Sequence, residues 1–454
     1  MPNLHDIRKI YFIGIGGIGM SALARYFRRI GAEVHGYDRT STELTRTLEA
    51  EGMTIHYTDD VSAIPEGIDL VVFTPAVPTG FGELIWFRER GFEVLKRSEV
   101  LGIISRGMKT MAVAGTHGKT TTSSMLTHIL RVGGVDCTAF LGGIARNYGA
   151  NYIEGNSNVV VVEADEYDRS FMRLHPDVTS IMSMDADHLD IYGDEATIQH
   201  TYAEYAAQVK DGGTVIMRLG LPLKKLDAAK GRVKFETFGI SRGQHRATNI
   251  RVRDGFFMFD FKGLDGEIPN IKMSLPGRHN IENATAATAI ALKQGVSPES
   301  VREALLSFKG IKRRFDIVFR DQKRVYIDDY AHHPTELASA IGAAKELFKG
   351  RKITGVFQPH LFSRTRDFAE GFAASLDMLD EVILLDIYPA RELPIEGVTA
   401  MTIFDKMTSG KKVQISKDAL LQELQHRHID VLMTLGAGDI DTFVAPIRAY
   451  LSNI

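Results

Sequence analysis

A glycine-rich turn containing one lysine and several threonines lies near residue 115. Residues 113–122 read V-A-G-T-H-G-K-T-T-T, between a β-branched run and a helical stretch. The usual phosphate loop is G-x-x-x-x-G-K-[ST], and here Val113 replaces its first glycine. The remaining G-x-x-G-K-T can still wrap backbone amides around an anion, with the Lys119 ammonium at the β- and γ-phosphates and the Thr120 hydroxyl available to Mg²⁺. The turn predicts an ATP site; the alternative is a glycine-rich loop in which the lysine has no such role.

A second glycine-rich turn lies close to the N-terminus. Gly14, Gly16 and Gly19 fit G-x-G-x-x-G between a strand-like run and a helical stretch, and Asp38 follows 19 residues after the last glycine. Such glycines let backbone amides approach a diphosphate, and a carboxylate at that distance can accept a hydrogen bond from a ribose hydroxyl. The alternative is that the glycines only permit tight packing. Two phosphate-binding turns in one chain argue against a simple dehydrogenase and favour ATP-driven chemistry on a substrate that carries a diphosphate.

Two further polar clusters follow strand-like runs in the middle of the chain. Glu163 is the first polar side chain after the run Val159–Val162, and His188 lies shortly after the run 179–184. The carboxyl ends of parallel strands face the ligand crevice of an open α/β sheet, so Glu163 is placed where a carboxylate meets the nucleotide's Mg²⁺. A solvated acidic loop and a structural histidine are the alternatives, and a histidine ligand is unusual for Mg²⁺, which prefers oxygen.

The elements that must position these residues alternate between short apolar strands and helices. Continuously apolar strands of this kind are typical of parallel sheets covered on both faces, so the fold class is α/β. The strand-like runs are Ile10–Ile15, Val71–Thr74, Thr110–Ala114, Val159–Val162, Ile353–Phe357, Val382–Leu385 and Val431–Leu435. Polar, glycine-containing junctions predict three domains, over residues 1–107, 108–310 and 311–454, with a β-rich insertion at 233–273.

Composition limits the classes of protein that need to be considered. The chain has 454 residues and a formal net charge of −3, which argues against electrostatic binding of nucleic acid. Its single cysteine, Cys137, rules out a disulfide within the chain. No apolar run approaches the roughly 20 residues of a membrane span, and charges interrupt the N-terminus where a signal peptide needs an apolar core. We expect a cytoplasmic protein without membrane insertion, either a monomer or a homodimer.

Taken together, these motifs resemble those of the Mur ligases, and in particular their alanine-adding branch. The turn at 115–122 carries the resemblance, and the turn at 14–21 and the segment Glu163-Ala-Asp-Glu166 narrow it. Further matches, in family order, are Asp187-His-Leu-Asp190, Gly277-Arg-His-Asn-Ile-Glu-Asn-Ala284, Arg313-Arg-Phe315, Asp328-Asp-Tyr-Ala-His-His-Pro-Thr335, Gln358-Pro-His360 and Gly436-Ala-Gly-Asp439. Several motifs are weak singly, but the set, which extends from residue 13 to residue 439, is highly specific.

The resemblance implies an activity and a role for each matching residue. The activity is ATP- and Mg²⁺-dependent joining of L-alanine to UDP-N-acetylmuramate, with a Rossmann-like UDP-sugar domain, a central ATP domain and a closing C-terminal Rossmann-like domain. The UDP-sugar would be bound by Gly14, Gly16, Gly17, Gly19, Asp38 and Thr74. ATP would be bound by Gly115, Thr116, His117, Gly118, Lys119, Thr120, Thr121, the adenine-reading pair Asn280 and Asn283, and, on closure, Arg314 and Asp329. The metal would be bound by Thr120, Glu163 and His188; catalysis would depend on Lys119, Glu163, His188 and Arg314; the amino acid would meet Tyr330, His332, His360 and Arg364.

Two departures from the family pattern, and several rival functions, remain open from sequence alone. Leu361 stands where some members carry an arginine, and the segment after the Asp-His motif offers no lysine before Lys210 for the carbamylated lysine of other Mur ligases. Arg364 suits an amino-acid carboxylate through bidentate pairing, and the alternative is an exposed arginine at a helix start. The rival functions are a murein-peptide recycling ligase that uses the same UDP-sugar, an NAD-dependent oxidoreductase and a non-catalytic nucleotide-binding regulator.

Overall fold

A computed structural model describes residues 3–78, 80–185, 192–223, 229–390 and 392–453. The chain divides into two compact units. The first unit comprises Met1–Thr248, Phe261–Pro269 and Glu282–Leu305, and the second comprises Asn249–Asp260, Asn270–Ile281 and Leu306–Ile454. The predicted position of His188 lies outside the described residues. In the part of the chain that the structure describes, no helix combines the length and apolar character needed to cross a membrane.

The N-terminal part of the first unit is built on a five-stranded sheet. Its strands are β1 (Lys9–Ile13), β2 (Glu33–Tyr37), β3 (Thr54–His56), β4 (Leu70–Phe73) and β5 (Val94–Lys96), and its helices are α1 (Ile18–Arg29), α2 (Glu43–Ala50), α3 (Gly82–Glu89) and α4 (Arg97–Gly107). All strands are parallel in the order β3–β2–β1–β4–β5. The order reverses at β1 and β4, which is where a Rossmann-like sheet opens a crevice for a ligand.

The central sheet lies mostly in the same unit. Its strands there are β6 (Lys109–Ala114), β7 (Thr138–Ala145), β8 (Ala150–Ile153), β9 (Val159–Ala164), β10 (Val178–Ile181), β11 (Thr214–Arg218) and β12 (Lys234–Ile240). They follow the order β12–β11–β10–β6–β9–β7–β8, and only β8 among these runs antiparallel to its neighbour. Helices α5 (Lys119–Val132) and α6 (Glu195–Ala207) belong to this region. Strand β6 is fully buried after its first residue, as expected for a central parallel strand.

The β-rich stretch predicted at 233–273 forms strands, but the first of them, β12, pairs in parallel with β11 and belongs to the central sheet itself. Strands β13 (His245–Arg253), β14 (Phe256–Gly263) and β15 (Gly266–Met273) follow one another with two-residue connections, and helices α7 (Arg278–Leu292) and α8 (Pro298–Ser307) come next. The division between the two units runs through this stretch of the chain.

The second unit contains a six-stranded sheet. Its strands are β16 (Asp316–Arg320), β17 (Val325–Asp329), β18 (Ile353–Phe357), β19 (Glu381–Leu385), β20 (Lys412–Ile415) and β21 (Val431–Leu435). The order is β16–β17–β21–β18–β19–β20, with β16 antiparallel and the other strands parallel. The helices are α9 (Pro334–Leu347), α10 (Phe362–Asp367), α11 (Ala369–Leu376), α12 (Met401–Phe404), α13 (Leu420–Gln425) and α14 (Val444–Asn453). The three sheets confirm the predicted three-domain α/β architecture, whereas the exact boundaries at 107 and 310 stay predictions.

Candidate active site

The lysine-containing turn connects the centre of the second sheet to helix α5. It leaves β6 after Ala114 and enters the helix at Lys119, with Gly118 as N-cap in the left-handed region (φ 82°). Gly115 has φ 132°, and a Cβ at this position would lie 2.7 Å from the amide nitrogen of Ser183. Both conformations are costly for residues with a side chain, so glycine is required at these two positions. The backbone of the turn is therefore shaped to present its amides at the end of the sheet.

Side chains and backbone from the loop after β10 hold this turn in place. The amide of His117 donates to Ser183 Oγ at 2.7 Å, and Thr116 Oγ1 donates to the carbonyl of Asp185 at 3.0 Å. Thr120 and Thr121 are buried in the first turn of α5. The structure thus gathers the seven predicted turn residues at the carboxyl end of β6, beside the ends of β9 and β10.

Lys119 is bound to a carboxylate that the sequence analysis did not single out. Its ammonium donates to Glu166 Oε1 at 2.9 Å and Oε2 at 2.7 Å, and to the carbonyl of Gly115 at 2.7 Å. Burial lowers the pKa of Lys119, but the carboxylates of Glu166, Asp165 and Glu163 outweigh it, so the pKa is raised. The Lys119 ammonium is therefore a fixed cation that lies over the backbone of the turn to which it belongs. The sequence does contain a signal for Glu166, because this residue ends the segment Glu163-Ala-Asp-Glu166 that resembles the family motif.

Glu163 and Thr120 bring two oxygen ligands together beside the lysine. Thr120 Oγ1 donates to Glu163 Oε1 at 2.9 Å, and the amide of Gly142 donates to Oε2 at 2.7 Å. Burial raises the pKa of Glu163, and Lys119 opposes this effect. The side chain of Glu163 is half-buried, and each of its carboxylate oxygens accepts a hydrogen bond. The alternative of a solvated acidic loop is therefore wrong. A hydroxyl and a carboxylate oxygen at this spacing suit a hard divalent cation such as Mg²⁺.

The two asparagines predicted to read adenine lie on α7, and both are buried. Asn283 Oδ1 is 2.8 Å from the place that a Cβ on Gly118 would occupy, so this side chain adjoins the phosphate turn. Asn280 Nδ2 donates to the carbonyl of Pro276 at 2.6 Å. The structure therefore places Asn283 beside the turn, and adenine recognition by the pair stays a prediction.

The N-terminal turn lies at the crevice between β1 and β4. The amides of Gly14 and Ile15 both donate to the carbonyl of Tyr37, at 2.8 and 3.0 Å, and Gly14 has φ 86°. Asp38 Oδ2 accepts from the amide of Gly16 at 2.7 Å, which gives this carboxylate a structural role in the turn. Thr74 follows β4, and its methyl group is 2.7 Å from the place of a Cβ on Gly14. Gly17 caps α1, so the predicted turn residues converge on the start of one helix.

The residues predicted to meet the amino acid and to close over ATP all lie in the second unit. Tyr330 and His332 follow β17, with ring centroids 5.2 Å apart, and the rings of His332 and His360 are 5.9 Å apart. The Arg314 guanidinium lies 5.2 Å from the Tyr330 ring centre and 3.6 Å from Glu336. Arg364 is only 8% exposed within α10, so the interpretation of an exposed helix-start arginine is wrong.

Asp329, at the end of β17, has an unusual environment for a carboxylate. It accepts hydrogen bonds from the amides of Phe315 and Ala331, both at 2.7 Å, and burial raises its pKa from 3.8 to about 6 against the opposing effect of Arg314. A raised pKa means that the folded chain binds this proton more tightly than the unfolded chain does.

We expect Asp329 to make stability depend on pH in a defined direction. Its contribution is fully present below pH 3.8 and is lost as the pH rises through about 6. In urea denaturation, the free energy of unfolding of the wild type minus that of Asp329→Asn should therefore decrease across this interval. A difference that is constant with pH would contradict the assignment.

Comparisons with known proteins find matches along nearly the whole sequence of the chain. The Mur ligase family, catalytic domain, matches residues 9–109, the Mur ligase middle domain matches 113–291, and the Mur ligase, glutamate ligase domain, matches 313–438. The UDP-N-acetylmuramate–L-alanine ligase of Cytophaga hutchinsonii is 49% identical over 456 residues, which cover 98% of this chain and 97% of the relative. The chain belongs to the Mur ligase family.

Solved structures of Mur ligases share the fold. The crystal structure of the UDP-N-acetylmuramate–alanine ligase MurC from Thermotoga maritima has a TM-score of 0.84 and 30% identity, covering 98% of this chain and 100% of that one. A murein peptide ligase from Psychrobacter arcticus has a TM-score of 0.72 and 23% identity, covering 98% and 99%, a likeness that shows the fold alone. The Mur ligase family and its alanine-adding branch are thus favoured over an NAD-dependent oxidoreductase and over the recycling ligase.

Proposed function

We propose that this chain joins L-alanine to the lactyl carboxylate of UDP-N-acetylmuramate at the expense of ATP, the first stem-peptide step of peptidoglycan synthesis. The observation that carries the proposal is the fixed cation of Lys119 beside the Thr120–Glu163 oxygen pair, at the carboxyl end of a central parallel sheet. Full-length relatives with this activity support the choice of substrates. The need for ATP supports a cytoplasmic location.

The first step makes the carboxylate reactive. A lactyl carboxylate oxygen attacks the γ-phosphorus of ATP, the bond to the β,γ-bridging oxygen breaks, and an acyl phosphate and ADP result. Such a transfer depends on positioning and on neutralising the charge that develops on the phosphoryl oxygens. Lys119 supplies a buried cation, and on phosphate binding its ammonium exchanges part of its contact with Glu166 for the β- and γ-oxygens. Arg314 adds a second cation when the C-terminal domain closes.

Mg²⁺ fits the oxygen pair formed by Thr120 and Glu163, and the family pattern adds His188. When bound, the cation would neutralise phosphate charge and orient the γ-phosphoryl group. Thr120 and Glu163 contribute hard oxygen ligands, and Gly142 holds the carboxylate in place through its amide. The hydrogen bonds from Thr120 and Gly142 hold the Glu163 carboxylate half-buried at the end of β9, where it would meet the cation.

The second step forms the amide. The unprotonated amine of L-alanine attacks the acyl carbon, and the tetrahedral species collapses with loss of phosphate. A base must take the proton from the amine, and His332 is suited to this role. Burial lowers its pKa, so the imidazole is neutral near pH 7, and its Nδ1 is paired with the carbonyl of Tyr330 at 2.9 Å. That pairing assigns the hydrogen to Nδ1 and leaves Nε2 as the proton acceptor.

The carboxylate of L-alanine requires a cation, and we assign it to Arg364. This guanidinium is buried in α10, next to the segment that carries His360. A buried arginine matched to a carboxylate gives two parallel hydrogen bonds and hence a strong orientation of the ligand. Tyr330 and His360 complete the aromatic surroundings of the amine.

Omitting each substrate in turn tests the proposal. We expect phosphate release only when ATP, UDP-N-acetylmuramate and L-alanine are all present with Mg²⁺, and a product heavier than the UDP-sugar by one alanine residue. A tripeptide in place of L-alanine should give no release. Release with the tripeptide but not with L-alanine would favour the recycling ligase, and release without the UDP-sugar would contradict both.

A further inference from the structure

The third glycine of the N-terminal turn makes room for an arginine from a distant helix. A Cβ on Gly19 would lie 2.9 Å from Nη1 and 3.0 Å from Cδ of Arg97, the first residue of α4. Gly19 has no positive φ, so its backbone does not itself require glycine. A side chain at this position would therefore displace the Arg97 side chain, which packs against the first turn of α1.

Residues 14–19 themselves contribute no side-chain cation for a doubly charged ligand. Residues 14–19 read G-I-G-G-I-G, and the first turn of α1 contains no acidic residue. Backbone amides and the helix dipole attract an anion, but they supply only a partial positive charge. A diphosphate diester carries two negative charges, so a guanidinium at the same helix start is the complement that this cradle needs.

Arg97 has only a loose partner in the described part of the chain. Its Nη2 lies 3.3 Å from Asp165 Oδ2, and its side chain is 21% exposed. Asp165 is also engaged elsewhere, because its Oδ1 accepts from the amide of Tyr167 at 3.1 Å. A guanidinium has five donors in a fork that matches phosphate oxygens, so most of its capacity is left for a ligand.

Arg97 also lies between the two nucleotide-binding turns. It lines one small cleft together with Ser98, Glu163 and Asp165. Arg97 therefore contacts the start of α1 through Gly19 and shares a cleft with the carboxylate that we assign to Mg²⁺. The UDP-sugar must span the distance between these two groups for its lactyl group to reach the γ-phosphate.

We propose that Arg97 is a substrate-binding residue whose guanidinium contacts the diphosphate of the UDP-sugar, exchanging Asp165 for phosphate oxygens when the substrate binds. The inference rests on the proposed function for the identity of the ligand. Asp165 is the resting partner that keeps the guanidinium at Gly19 before the substrate arrives.

Calorimetric titration with UDP, without ATP or L-alanine, tests this role separately from ligase activity. Arg97→Gln should weaken UDP binding by about 10- to 100-fold, the loss of one charge-assisted contact. Arg97→Lys should recover only part of the affinity, because an ammonium lacks the fork. The matched control is Lys96→Gln, which removes the neighbouring cation paired with Asp168 at 2.8 Å and should leave UDP affinity unchanged.

Asp165→Asn separates substrate binding from a purely structural brace. If Arg97 binds the diphosphate, removing its resting partner should leave UDP affinity equal or tighter. If the Arg97–Asp165 pair only links α4 to the segment after β9, Asp165→Asn and Arg97→Gln should weaken UDP binding alike. That result would overturn the inference. Equal UDP affinity of Arg97→Gln and wild type also overturns it, whereas a wild type that does not bind UDP overturns the proposed function as well.

Discussion

Replacing Lys119 by alanine should reduce ATP turnover by at least about 10³-fold while UDP-N-acetylmuramate still binds. The ammonium is the one side-chain cation seated in the phosphate turn itself, among residues 115–121 of the described chain, and it is held there by Glu166 and the carbonyl of Gly115. Turnover is measured as ADP release with all substrates present, and UDP-sugar binding is measured by calorimetry.

The design must separate lost chemistry from lost folding. Removing Lys119 alone leaves Glu166 buried without its counter-ion, which costs about 3–5 kcal/mol of stability. The double variant Lys119→Ala with Glu166→Gln removes both charges and should remain folded but inactive. Lys210→Ala is the matched control, because Lys210 forms an ion pair of 2.9 Å with Asp177 in the same unit. Turnover within tenfold of wild type in the double variant would contradict the assignment of the phosphate site.

Replacing Glu163 by glutamine should lower activity by about 10²- to 10³-fold and raise the Mg²⁺ concentration needed for half-maximal rate. The amide keeps one oxygen near Thr120 but loses the charge that attracts the cation. Glu163→Asp should keep the charge and recover part of the rate at high Mg²⁺. The measurement is kcat/KM as a function of Mg²⁺ concentration at fixed ATP.

Glu154→Gln provides the control for loss of a carboxylate in the same unit. Glu154 pairs with Arg29 at 2.8 Å and is 60% exposed, so its removal should change neither the rate nor the Mg²⁺ dependence. If Glu163→Gln has the same Mg²⁺ dependence as wild type, Glu163 is not a ligand of the cation.

The parts of the site that depend on a local sequence pattern could be predicted from the sequence. The turns at 14–19 and 115–120 each join a strand to a helix, and Glu163 follows a strand, so the rule for the carboxyl ends of parallel strands placed them at sheet edges. The structure confirms that both turns join a strand to a helix, and it places Glu163 within the last residues of β9 rather than after the strand. Thr74 is assigned by the family resemblance alone, and the structure places it beside the first turn because β4 neighbours β1.

The residues that sequence reasoning missed depend on contacts between distant parts of the chain. Glu166 meets Lys119 across 47 positions, and an acid after a strand is equally compatible with solvent. Arg97 reaches Gly19 from a helix 78 residues further along, and no local pattern reports that proximity. The burial of Arg364 likewise arises from tertiary packing around α10. The sequence analysis also missed the contact of Asp38 with the N-terminal glycine-rich turn, where its carboxylate accepts a hydrogen bond from the Gly16 amide.

Isotope transfer from the lactyl carboxylate tests the central claim most directly. UDP-N-acetylmuramate labelled with ¹⁸O in both carboxylate oxygens is incubated with ATP, Mg²⁺, L-alanine and the wild-type chain, and the released phosphate is examined by ³¹P spectroscopy. An acyl phosphate requires that one labelled oxygen leaves with the phosphate, so we predict phosphate that contains a single ¹⁸O. Unlabelled phosphate accompanying amide formation would show that the γ-phosphoryl group never resided on the carboxylate, and it would contradict the account.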